Sequence, residues 1–155
     1  MYRTHLNNAL RSSNIGQEAE LCGWVHRRRD HGGLIFIDLR DRYGLTQIAF
    51  DPRVEKAAHE KAETLRPEDV IVVKGKVRAR PEGMTNKDLE TGEIEMIVSE
   101  LTVINKARTP PFEIDQDKQV GEEVRLQYRY LDLRRSRMQR NIILRHQINQ
   151  EIRKF

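Results

Sequence analysis

One cysteine, Cys22, leaves the chain no partner for an internal disulfide, and the five histidines (His5, His26, His31, His59 and His146) lack the short spacings of a metal site. No apolar run approaches membrane-spanning length, and the start, MYRTHLNNALRSS, lacks the apolar segment of a secretory signal. The expected address is the cytoplasm, with no membrane partner. A Walker loop, GxGxxG, HExxH and GxSxG are all missing, which excludes the usual forms of phosphate cradling, zinc hydrolysis and serine catalysis. Asp38 with Asp41, and Glu93 with Glu95, have spacings that strand alternation supplies freely, so neither pair reads as a general acid and base. No catalytic residue and no metal ligand is assigned, and binding is the better-supported activity.

At 155 residues the chain has room for one domain with appendages. Its net charge of +4 is unevenly spread: residues 122–155 hold 9 Lys or Arg against 4 Asp or Glu, and residues 1–121 hold 19 against 20. The body is nearly neutral, so any nucleic acid must be met by a local patch.

Apolar periodicity predicts strands at about 18–29, 34–40 and 45–50, a helix at 54–65, and strands at 70–80 and 93–104. Tyr43-Gly44 marks the turn between the second and third strands. Pro52 suits the first helical turn, and Arg66-Pro67 closes the helix. Five strands with a helix between the third and fourth is the order of an OB-fold, a mainly β Greek-key barrel. In the fourth strand Ile71, Val73, Val77 and Ala79 alternate with Lys74, Lys76, Arg78 and Arg80, a core side and a cationic side. The loops at Asp30–Gly33 and at 80–93 are expected to flank the binding face.

From Lys106 the composition turns to KARTPPFEIDQDKQVGEEV, paired prolines without periodicity, which reads as a linker. Beyond it, Ser136 is a candidate N-cap for a helix whose stripe is Met138, Ile142, Ile148, Ile152 and Phe155. A helix that runs to the last residue without a stop signal suggests a chain cut from a longer one.

The stretch LCGWVHRRRDHGGLIFIDLRDRYGLTQIAF concentrates the chemistry. Alternation sends Ile35, Ile37 and Leu39 to one side and Leu34, Phe36, Asp38 and Arg40 to the other. Phe36 is therefore an aromatic that the core does not require. Ile48 and Phe50 share a face with Thr46, which puts Gln47 on the face where Phe36 can lie. A ring, an amide and nearby guanidinium groups form a platform for single-stranded nucleic acid. The alternatives stay open: Phe36 as a barrel plug or tail contact, Arg27, Arg28 and Arg29 as a solvated strand end, and Glu95 as either counter-ion or base acceptor. Trp24 reads as core.

That stretch, with RPEG, TGEIE, TPPF and LQYRYLDLRR, resembles the amino-terminal part of bacterial-type aspartyl-tRNA synthetases over essentially the whole chain. The combination FIDLRDRYG with YRYLDLRR points to the aspartyl group among its asparaginyl and lysyl relatives. The resemblance implies an OB-fold anticodon-binding domain at 1–108, a linker at 109–124 and, at 125–155, the truncated start of the hinge and catalytic region. It implies recognition of the GUC anticodon of tRNA-Asp: Phe36 stacks on the middle uracil, Gln47 bonds it, and Arg29 lies beside it. It also places Glu95 in the anticodon pocket, Arg78 and Arg80 near the backbone, and Asn86 in the closing loop. His31 and Gly83 resemble the enzymes of relaxed specificity that also charge tRNA-Asn.

ATP and magnesium are implied for the full-length class II ligase, which is expected to be a homodimer. The chain alone is expected to hold no cofactor, to be monomeric and to be inactive. Two other readings remain: a stand-alone OB-fold protein that binds single strands without sequence preference, and a structural docking unit.

Overall fold

The computed structural model describes residues 3–114 and 119–155. Strict alternation in Leu34–Arg40 (β2) puts Ile35, Ile37 and Leu39 inside, each almost fully buried, in one wall of a closed barrel; β3, by contrast, is buried at five consecutive positions, Thr46 to Phe50. The other strands are β1 (Glu18–His31), β3 (Leu45–Phe50), β4 (Val70–Ala79) and β5 (Ile94–Asn105), in the order β1-β2-β3-β5-β4 with β4 pairing back to β1. All ladders are antiparallel except the short parallel contact of β3 with β5. A helix, α1 (Lys56–Glu63), lies between β3 and β4 and adds Ala58 and Ala62 to the core. This is the expected OB-fold.

Leu21, Val25, Ile37, Leu39, Ile48, Ile71, Val73, Ile94 and Met96 fill the interior. Each such side chain contributes roughly 1.5–3 kcal/mol by leaving water. Gly75 lets the closing strands approach at a register shift: a Cβ there would sit 2.1 Å from the Ile97 carbonyl oxygen. The hairpin between β1 and β2 is tighter than the expected four-residue loop. Gly32 and Gly33 adopt φ +59° and +78°, the positive values a two-residue turn needs, so the ladder continues to His31 and Leu34.

Several local expectations are corrected. Trp24 is half-buried on the outer wall, because Leu21, Gly23 and Val25 take the inward positions of its strand. Ala79, at the end of β4, is exposed. The turn from β2 to β3 is built by Asp41, whose Oδ1 accepts from the backbone N–H groups of Tyr43 (2.7 Å) and Gly44 (3.1 Å). Pro52 belongs to a separate turn, and α1 starts later, capped by Glu55, whose Oε1 accepts from the Ala57 N–H at 3.1 Å.

By its contacts the chain divides into two units, Met1–Thr109 and Pro110–Phe155. In the second unit lie α2 (Glu122–Gln127), α3 (Arg129–Asp132) and α4 (Ser136–Lys154). The expected linker at 109–124 falls partly outside the described residues, at 115–118, and its last residues already belong to α2. The buried carboxylate of Asp132 ties α2 to α3, accepting from Arg125 Nε at 3.0 Å and from Arg129 Nη1 at 2.7 Å. Ser136 is the first residue of α4 and not its cap; Arg135 holds that position without a side-chain bond. Ile142, Ile148, Ile152 and Phe155 of the expected stripe are exposed. No helix among the described residues is long and apolar enough to cross a membrane.

Candidate nucleic-acid interface

Register fixes which outward side chains of the barrel are neighbours. One row runs Arg29, Phe36, Ala49, Ile97 and Lys76 across β1, β2, β3, β5 and β4. The next row holds Arg27, Asp38, Gln47, Glu95 and Arg78: Arg27 pairs with Asp38, Asp38 with Gln47, and Glu95 with Arg78. Phe36 is half-buried on this outer wall and takes no part in the core cluster. A ring at one row and a line of polar groups at the next is the arrangement a stacked, hydrogen-bonded base requires.

Asp38, Gln47, Glu95 and Arg78 of the polar row form one network with Arg29 of the row beside it. Arg29 Nη2 donates to Asp38 Oδ1 at 2.8 Å and to Gln47 Oε1 at 3.1 Å. Gln47 Nε2 donates to Glu95 Oε2 at 2.8 Å, and Arg78 Nε donates to Glu95 Oε1 at 2.8 Å. Charges therefore hold both ends of the Gln47 amide: a guanidinium faces its oxygen and a carboxylate faces its nitrogen. Turning the amide over would set donor against donor and acceptor against acceptor. Gln47 is 7% exposed, and these bonds leave one of its N–H groups and one of its lone pairs unused.

Glu95 is 1% exposed and both its oxygens are engaged, so the counter-ion reading fits it better than direct contact with a base. Arg80 lies in the field of Glu95 and Asp38. Its Nε donates to the Ile94 carbonyl at 3.0 Å, and its Nη2 is buried without a partner. Burial pulls the Arg80 pKa down, and the two carboxylates oppose this. The arginine triplet is split by alternation. Arg27 and Arg29 face outward with the platform, whereas Arg28 takes the other parity opposite Ile37 and pairs with Asp30 at 2.8 Å.

Of the residues singled out in the sequence, Arg29, Gln47, Glu95 and Arg78 are thus bonded together, with Phe36 beside Arg29 and Arg80 within their field. Among the described residues no hydrogen bond or ion pair joins Asn86, His31 or Gly83 to this network. Asn86 organises its own loop, its Oδ1 accepting from the Asp88 N–H at 3.0 Å. His31 is exposed at the end of β1, and Gly83 adopts φ +78° at the exposed tip of the loop between β4 and β5. The base of that loop is tethered, for Glu90 accepts from Asn8 at 2.9 Å and from Arg11 at 3.0 Å. Asp38 is the network member that sequence reasoning passed over. The hairpin register could have found it, since Asp38 and Gln47 are equally far from the turn.

Comparison with known proteins gives the family. The chain matches the OB-fold nucleic acid binding domain family over residues 19–104 and the class II tRNA synthetases (D, K and N) over residues 121–155. It is 54% identical over 153 residues to an aspartate–tRNA(Asp/Asn) ligase of Desulfotalea psychrophila, covering 99% of this chain and 25% of that protein. With the ligase of the same name from Rubrobacter xylanophilus the identity is 56% over 154 residues, covering 99% of this chain and 26% of the relative. The chain therefore spans about a quarter of the length of these curated relatives. Among solved structures, asparaginyl-tRNA synthetase from Pyrococcus horikoshii in complex with asparaginyl-adenylate superposes with a TM-score of 0.71 at 28% identity, over 87% of this chain and 30% of that one. The chain belongs to the OB-fold nucleic acid binding domain family, in the setting of the class II tRNA synthetases.

Proposed function

We propose that this chain is the anticodon-reading part of an aspartate–tRNA ligase that works in the cytoplasm and accepts both tRNA-Asp and tRNA-Asn. The observation that carries the reading is the fixed Gln47 amide next to the outward Phe36 ring. Phe36 stacks the middle base, and Gln47 offers one donor and one acceptor in a set order. Uracil presents an acceptor beside a donor on its pairing edge; cytosine presents the same groups reversed. An amide that cannot turn over fits one pyrimidine and rejects the other.

Arg29, Arg78 and Arg80 supply positive charge around the strand, and Asp38 and Glu95 hold the readers in place. Asn86, in the loop between β4 and β5, closes over the anticodon. His31 and Gly83, on loops at the margin of the face, tune the third base, at which the two tRNAs differ. The names of the two ligase relatives, both of the Asp/Asn type, support the dual substrate. Amino-acid activation, with its ATP and magnesium, and homodimer formation belong to the larger part of such a ligase. Among the described residues no cluster of three or more His, Cys, Asp or Glu fits a metal ion.

The test is a competition titration of stem-loops carrying GUC, GUU and a scrambled triplet. GUC and GUU are expected to bind alike and well ahead of the scrambled loop. Equal binding of all three would leave only a non-specific single-strand binder.

A further inference from the structure

The row that carries Phe36 does not end at the platform. It continues through Ala49 and Ile97 to Lys76, and there it meets a groove of about 450 Å³ lined by Ile15, Val54, Ile97, Lys76, Arg78 and Ser99. Ile15 is 46% and Val54 is 55% exposed, two aliphatic side chains on separate loops that the core does not cover. Lys76 is exposed and has no ion-pair partner among the described residues, unlike Lys74, which lies 3.9 Å from Glu100. One carboxylate, Glu18, also lines the groove, across the ladder from Lys76.

With neighbouring strands about 4.8 Å apart, Ile97 lies roughly 10 Å and Lys76 roughly 14 Å across the sheet from Phe36. An unstacked strand covers that distance in a couple of nucleotides. Aliphatic walls next to a lysine suit the flat apolar faces of a base with its phosphate beside the ammonium group. The Glu18 carboxylate disfavours a free anion. Ile97 and Arg78 belong both to the groove and to the anticodon rows, so the groove is an extension of that face.

We propose that this groove receives an unpaired nucleotide adjoining the anticodon triplet, so that the barrel holds the loop by a base it does not decode. The proposal rests on the anticodon reading above. The contact is sequence-tolerant, because aliphatic side chains meet any base by its face; it adds affinity without adding discrimination.

The experiment is a double-mutant cycle on the 155-residue chain. Three stem-loops carrying GUC are titrated: one intact, one with an abasic site directly 5′ of the triplet, and one with it directly 3′. Each is bound to the unmodified chain and to a chain with Ile15→Ser and Val54→Ser, exposed positions outside the core cluster. One of the two abasic sites is expected to weaken binding to the unmodified chain by about fivefold, the scale of a few tens of Å² of apolar burial, and to have no effect on the double variant. Indifference of the unmodified chain to both abasic sites, or an equal loss in both proteins, overturns the groove while leaving GUC preference intact. A scrambled loop is titrated alongside: absence of preference for GUC over it is instead the failure of the anticodon reading, and the groove's occupant falls with it.

Discussion

Asp38 and Gln47 stand directly across the β2–β3 hairpin, and a single nitrogen of Arg29 donates to both, at 2.8 Å and 3.1 Å. The carboxylate anchors the guanidinium, and the guanidinium orients the amide. In the anticodon reading proposed above, Asp38 acts on base choice without touching a base. Asp38→Asn is expected to leave folding intact and to reduce the preference for a GUC over a GCC loop by about threefold. The size is modest because Arg29 is partly exposed and the pair is screened. Titration of the two loops at one salt concentration reads the ratio directly. An unchanged preference would mean that Glu95 alone orients Gln47.

Phe36 and Lys74 separate stacking from general attraction. Base stacking on an aromatic is worth about 1–3 kcal/mol, so Phe36→Ala is expected to cost tenfold or more in affinity for the anticodon stem-loop at every salt concentration. Lys74 lies on the cationic side of β4, 3.9 Å from Glu100, and Lys74→Ala should lower binding modestly and mainly at low salt. Equal losses from both changes across a salt series would count against base readout.

Alternation alone placed Phe36 and Gln47 on the outer wall, because β2 and β3 join through a short turn that fixes their register. The glycine pair at 32–33 fixed the first hairpin in the same local way, although the ladder proved longer than the composition suggested. The choice between the two roles of Glu95 was not legible, since it depends on its pairing with Arg78 across the β4–β5 ladder and on a parallel contact of only two residue pairs between β3 and β5. At Trp24 parity outweighs residue type: its neighbours Gly23 and Val25 face inward, so it cannot. Asn86 turns toward its own loop for a reason that no periodic pattern carries, an acceptor for the Asp88 N–H.

Gly75 sets the closure of the barrel. Its missing side chain faces the Ile97 carbonyl oxygen and the Val98 Cα, where a Cβ would come within 2.1 Å and 2.9 Å. Both obstacles are backbone, so the strands must separate to admit a methyl group. Gly75→Ala is expected to destabilise the barrel by at least about 2 kcal/mol. Gly121, the N-cap of α2 in the second unit, has nothing within 4 Å of its would-be Cβ, so alanine there loses only a capping preference and should leave the unfolding of the barrel unchanged. Urea unfolding of the two variants, followed through the single tryptophan, makes the comparison. A neutral Gly75→Ala would show that the β4–β5 contact yields more readily than its geometry indicates.

Asp51 gives the barrel a specific acid sensitivity. Its carboxylate accepts from the Arg53 guanidinium at 3.0 Å and 2.8 Å and from the Arg53 backbone N–H at 2.9 Å, and these bonds lower its pKa from 3.8 to about 2. A carboxyl depressed in the folded state stabilises the fold above its unfolded pKa, and that contribution is lost as pH falls through the folded value. The window is therefore from about 4 down to about 2. Arg53 is 81% exposed, so solvent screening keeps the contribution small. Asp51→Asn should lower stability at neutral pH by that small amount and flatten the fall in stability across the acid window, measured by urea titrations at several pH values. An equally steep fall in the variant would assign the acid sensitivity to other carboxylates, and the Asp51–Arg53 turn would then contribute only through its backbone bonds.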